Sequence, residues 1–83
     1  MPTSYVVKTP VQLGEILRGF RKDQGLTQAE LAGRLGLPQK AISLAETHPH
    51  RLTVARLFQL LGALQAELRL QAGDAPPGAK AEW

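Results

Sequence analysis

Apolar residues return with the period of a helix in four stretches of this chain, and each stretch is bounded by residues that start or stop helices. Leu13, Ile16, Leu17 and Phe20 make the first stripe. Thr9 offers a capping hydroxyl before it, Pro10 suits the first helical position and Gly25 ends it, which predicts a helix from about Pro10 to Gln24. In the second, Ala29, Leu31, Ala32 and Leu35 share a face, Thr27 and Glu30 have the spacing of a capping box, and Gly36 follows as a left-handed stop. The third opens at Pro38; Ala41, Ile42 and Ala45 point inward and leave Gln39, Lys40, Ser43 and Leu44 outward. Thr53 caps the fourth, whose predicted apolar face is Val54, Leu57, Phe58, Leu61 and Leu64, closing the core over the first helix. Leu60 falls off that face and is expected to lie under a second subunit.

Between the third and fourth helices, Thr47 to Leu52 reads as a loop by its proline and lack of period. Beyond the fourth, the pattern changes to strict alternation. Ala66, Leu68 and Leu70 face one way, and Glu67, Arg69 and Gln71 the other. A lone strand leaves backbone groups unpaired, so it is expected to pair with its own copy across a twofold axis. An axis beside Leu68 would oppose Glu67 of one chain to Arg69 of the other, a favourable cross-strand pair. Pairing with the β-prone Ser4 to Lys8 is the alternative, and the two can coexist. The organisation read this way is an arm over 1–9, a helical domain over 10–65, a dimerisation strand over 66–72 and a tail over 73–83. Proline, glycine and small residues make that tail unfit for a core, so it is expected to be disordered. It nonetheless ends in the chain's one tryptophan, Trp83, a plausible anchor for another protein.

Composition narrows this picture. Eighty-three residues allow one small domain whose stability a partner surface would help. Ten Lys and Arg stand against seven Asp and Glu, and since Lys80, Asp74 and Glu82 lie beyond Ala72, the folded part carries nine bases against five acids. That excess suits a phosphate-binding surface. Cysteine is absent, which excludes disulfides and thiol chemistry. His48 and His50 fall short of a zinc ligand set, and no cofactor is expected. No glycine-rich phosphate loop, paired acidic site or nucleophile constellation is present, so an enzyme is not expected. With no signal-peptide pattern at the start and no apolar run long enough to span a bilayer, a cytoplasmic, nucleoid-associated protein is expected.

Two short helices over a glycine turn form a helix-turn-helix unit, whose second helix is shaped for the DNA major groove. Gln39, Lys40, Ser43 and Leu44 are therefore the candidates for reading bases. Glutamine pairs bidentately with adenine, lysine reaches guanine, and an aliphatic group meets a thymine methyl. Thr27, Gln28, Arg34, Arg51 and Thr53 are the candidates for phosphate contact.

The order Thr27-Gln28, Glu30-Leu31-Ala32, Leu35-Gly36, Ile42-Ser43 and Glu46 resembles the lambda-repressor-like, or XRE, helix-turn-helix family. Thr9-Pro10 with Gln12-Leu13, the run Glu46-Thr47-His48-Pro49, the segment from Thr53 to Leu70 and the terminal Glu82-Trp83 are more narrowly similar to the HipB-type antitoxins. Thr47 stands where XRE proteins often carry glycine, a departure the HipB branch tolerates. The resemblance implies an all-α bundle of four to five helices, with a carboxyl-terminal strand pairing across a homodimer. It further implies palindromic operator DNA, autorepression, and a HipA-type serine/threonine kinase toxin as partner, with Trp83 as a toxin contact. A stand-alone XRE repressor without a toxin is the alternative.

Overall fold

A computed structural model of the chain describes residues 3–73. Helix α1 spans Pro10–Asp23, α2 Gln28–Leu35, α3 Gln39–Thr47 and α4 Val54–Ala63, with a short 3-10 turn over Pro49–Arg51 between the last two. The caps fall where the sequence placed them. Thr9 accepts from the Gln12 amide, and the Gln12 side chain in turn takes the Thr9 amide, a capping box that secures α1. Thr27 and Glu30 form the same box on α2, at 3.0 and 2.9 Å. The two hydrogen bonds from Thr27 hold the Glu30 carboxyl below its usual range, the amide contributing most. Thr53 caps α4 by accepting from the Arg56 amide. Gly36 ends α2 at φ 66, a left-handed conformation that a Cβ would strain. Pro38 stands one place earlier than expected, as the residue before α3 and not its first.

The core is Leu17, Leu26, Leu31, Ala32, Ile42, Ala45, Leu60, Leu61 and Leu64, contributed by all four helices and the loop after α1. Leu31, Ile42 and Leu60 are sealed at its centre. Helices α1 and α3 approach to backbone contact: a Cβ on Gly14 would sit 2.5 Å from the Glu46 carbonyl oxygen and 3.0 Å from Pro49. Glycine is what lets the end of α3 rest on α1.

Several expectations change. Leu60 is 2% exposed and belongs to this core, not to a second subunit's cover, whereas Phe58 and Val54, placed on the inward face, are 54% and 68% exposed. Helix α4 is thus turned by part of a revolution from the face the sequence suggested. It is apolar over most of its surface, so local period alone did not fix which side meets α2. Ala29 is exposed on the first turn of α2, ahead of the point where the helix dips into the core. Helix α1 stops at Asp23, with Gln24 as its cap. No strand forms among the described residues. Residues 66–73 leave α4 without regular structure, and Ser4 to Lys8 is an arm whose Tyr5 ring meets Phe20 edge-on at 5.6 Å. Ser4 to Lys8 and the 66–71 segment do not pair with each other in this chain, and a segment without a ladder partner does not become strand. The tail beyond 73 and its Trp83 lie outside the described residues.

Candidate nucleic-acid interface

Helix α3 is held from below by Ile42 and Ala45, both buried. That orientation leaves Gln39 and Lys40 exposed at its amino end, with Ser43 and Leu44 half-buried one turn on. The four candidates for base contact share one helix, but only the first two stand clear of the surface.

Behind them runs a chain of polar contacts that ties three helices together. Arg21 of α1 is 7% exposed. Its Nε donates to Glu46 Oε2 at 2.7 Å and its Nη2 to Glu46 Oε1 at 3.1 Å, a two-pronged ion pair between α1 and α3. The remaining prong, Nη1, donates to the Leu26 carbonyl at 2.7 Å and so fixes the loop ahead of α2. Hydrogen bonding to Glu46 holds the guanidinium pKa above its ordinary value, against the opposing pull of burial. Glu46 Oε1 also accepts from Gln28 Nε2 at 3.1 Å, and Gln28 Oε1 in turn faces Gln39 Nε2 at 3.4 Å. No buried side-chain nitrogen or oxygen among the described residues lacks a partner. The consequence reaches the surface. An amide whose nitrogen is spent on a carboxylate must turn its oxygen toward Gln39, so Gln28 is oriented by Glu46 and biases the Gln39 amide in its turn.

The candidates for phosphate contact are less alike. Thr27 and Thr53 are exposed, but their hydroxyl oxygens already accept from the Glu30 and Arg56 amides; the Thr53 proton is left to donate outward, whereas the Thr27 hydroxyl is also engaged by the Glu30 carboxyl. Gln28 is half-buried and engaged on both sides, so it is a positioning group as much as a surface donor. Arg34 is exposed at the end of α2 and Arg51 in the 3-10 turn. Ala66 packs against the core cluster, while Glu67, Leu68, Arg69 and Leu70 are exposed. Arg69 pairs with Glu67 of its own chain at 3.1 Å, on a fully solvated surface.

Sequence reading missed the Arg21 to Glu46 pair. The signal was present: Arg21 continues the stripe of Gly14 and Leu17, all three buried on α1. A cation on a buried stripe demands a partner, and the acid that supplies it lies 25 residues away.

Residues 17–71 match a family model described as helix-turn-helix. Antitoxin HipB of Escherichia coli strain K12 is 33% identical over 64 residues, which cover 77% of this chain and 73% of that protein. Among solved structures, one described as a HipB-O4 20mer complex superposes with a TM-score of 0.78 at 30% identity, covering 86% of this chain and 100% of that one. A HipA-HipB-O2-O3 complex gives the same TM-score, identity and coverage.

Proposed function

The chain belongs to the XRE-type helix-turn-helix regulators and, among them, to the HipB-type antitoxins, and on that premise we propose that it is a cytoplasmic autorepressor that also restrains a HipA-type serine/threonine kinase. It acts as a homodimer on palindromic DNA ahead of its own operon. Gln39 and Lys40 read base edges, with Ser43 and Leu44 one turn behind. Thr27, Gln28, Arg34, Arg51 and Thr53 hold the backbone. The 66–70 segment pairs with its copy across the twofold axis, and Trp83 contacts the toxin.

The observation that carries this reading is the exposed amino end of α3 braced through Gln28 and Glu46 to α1. Rigid support under two polar side chains is what base recognition needs, because a loose donor loses geometry before it gains selectivity. The relatives support the partners, since one solved HipB complex contains a 20mer and another contains HipA.

Purification from the native operon, followed by mass spectrometry and footprinting on the upstream DNA, tests it. Recovery of a kinase-sized partner and a symmetric footprint is the expected result. A homodimer that protects the same DNA without a partner would leave the stand-alone repressor in its place. Loss of the partner from a chain ending at Ala72 would assign toxin contact to the tail.

A further inference from the structure

At the carboxyl end of α3, away from the base-reading candidates, the chain's two histidines lie together with their ring centroids 5.9 Å apart. The Thr47 hydroxyl donates to the Ser43 carbonyl at 2.8 Å and lies 2.9 Å from His48 Nδ1. A hydroxyl has one proton. With that proton given to a carbonyl, Thr47 faces the ring with a lone pair, so Nδ1 must carry hydrogen. The backbone of α3 thereby selects the tautomer of His48, and Nε2 is the ring atom left for other chemistry. It offers a lone pair when the ring is neutral and a cationic donor once protonated.

His48 stands at an open groove of about 270 Å³ between the end of α3 and the start of α4. The polar lining of that groove is His48, Arg51, Thr53 and Arg56, and it contains no carboxylate. His50 and Arg51 face His48 from the 3-10 turn, Arg56 from α4, and the Thr47 hydroxyl from α3 itself. Glu46, the acid nearest in sequence, is engaged with Arg21 and Gln28 instead. Two guanidinium groups and an imidazole around one concavity repel each other when the last is protonated, and an anion between them relieves that repulsion. Nine residues of helical rise place His48 about 13 Å from Gln39, too far to read the same base pair. The position suits the DNA backbone beside the groove that α3 enters.

We propose that His48 is a further DNA ligand, holding a backbone phosphate with Arg51 and Arg56 in its imidazolium form, so that DNA binding takes up a proton and tightens on mild acidification. This rests on the DNA-binding reading above. Uptake of one proton by each chain limits the effect to about tenfold per pH unit for each protomer, and so to about a hundredfold for the proposed homodimer.

The test measures fluorescence anisotropy of the full-length chain on a labelled duplex from the region upstream of its own gene, across salt and pH. Between about pH 7.5 and 5.5 the wild-type dimer should tighten about ten- to a hundredfold, about three- to tenfold from each protomer. His48→Gln should bind like wild type at the upper pH and lose the tightening at the lower, where the dimer's salt slope also falls by about 1.8, or about 0.9 for each protomer. His50→Gln should keep both. Nitrogen-correlated NMR should show the Nδ1-protonated tautomer of His48, and Thr47→Val should release it. Tightening that survives in His48→Gln overturns the proposal, as does a wild type whose affinity is flat with pH or weakens in acid. A chain that binds the duplex at no pH would bring down the DNA-binding reading as well.

Discussion

The two ends of this small bundle are specified by different chemistry. Around α1, α2 and α3 the contacts are polar and directional: Arg21 holds Glu46 and the Leu26 carbonyl, Glu46 holds Gln28, and Gln28 faces Gln39. Around α4 they are mainly apolar and generic, with Leu60, Leu61 and Leu64 inside and Val54 and Phe58 left in solvent, and one directional contact, from the Gln24 side-chain amide to the Leu64 carbonyl, at its end. Hydrogen bonds and an ion pair permit one arrangement of the helices they join, whereas leucines tolerate several. The directional end is the one that would present α3 to DNA in the proposed function. The generic end keeps an unsatisfied apolar surface, continuous in character with the exposed Leu68 and Leu70, and this is the end the proposed homodimer would cover.

If that contrast is right, the largest effect comes from breaking the polar end. Glu46→Ala leaves Arg21 buried with its main partner gone, and loss of one member of a buried pair costs about 3–5 kcal/mol. Thermal or denaturant unfolding should show it, in a domain whose whole stability is of the same order. Glu46→Gln keeps the shape and one acceptor, so it should fall between the two. A loss under 1 kcal/mol in Glu46→Ala would mean that the pair is solvated and that α3 is braced by packing alone.

The next effect separates the ends. Phe58→Ser removes an exposed ring from the folded chain, so it should leave the monomer's stability nearly unchanged. In the proposed dimer two such rings are covered, and their loss should weaken association by about 2–3 kcal/mol. Sedimentation equilibrium reads this directly. Unaltered self-association would remove α4 from the dimer surface and leave the 66–70 segment to carry it.

A smaller effect tests the polar end where it meets the ligand. Gln39→Ala should lower affinity for the best operator by about 1–3 kcal/mol and relax preference at one base pair. Gln28→Ala should relax the same position less, because it removes the brace and not the reader. Equal loss on all sequences in either variant would make the residue a phosphate contact. Selection of binding sites from a randomised pool distinguishes the two.

The same contrast explains what was legible in the sequence. Thr27, Glu30, Gly36 and Thr53 announce their own roles, because a cap or a left-handed stop is decided within four residues. The helix-turn-helix order was therefore readable from end to end. The register of α4 was not: Val54, Leu57, Phe58, Leu60, Leu61 and Leu64 offer two overlapping apolar faces, and the choice rests on where α2 lies. The stripe of Gly14 and Leu17 pointed to a buried Arg21, but Glu46 as its partner was out of reach for a related reason, since the pairing spans the fold. Gln39 and Lys40 could be placed at the amino end of α3 from the sequence, but the brace that orients Gln39 through Gln28 could not.

The smallest effect sits at the joint between α4 and the segment after it. Gln65 adopts φ 56, the only non-glycine among the described residues with a positive φ. Its amide donates to the Gly62 carbonyl and that of Ala66 to Leu61, which closes the end of α4 in the manner of a glycine-capped helix. A side chain in that conformation is strained, and Gln65→Gly should relieve it, raising stability by about 0.5–1 kcal/mol against the added freedom of the unfolded chain. That balance makes the sign informative. A gain would show that the turn is held by its backbone bonds, leaving 66–70 free to leave α4 at the same angle. A loss that vanishes at a protein concentration low enough to dissociate the dimer would show that the Gln65 side chain has a contact of its own in the assembled dimer, whereas a loss that persists there would show that the freedom of the unfolded chain outweighs the strain.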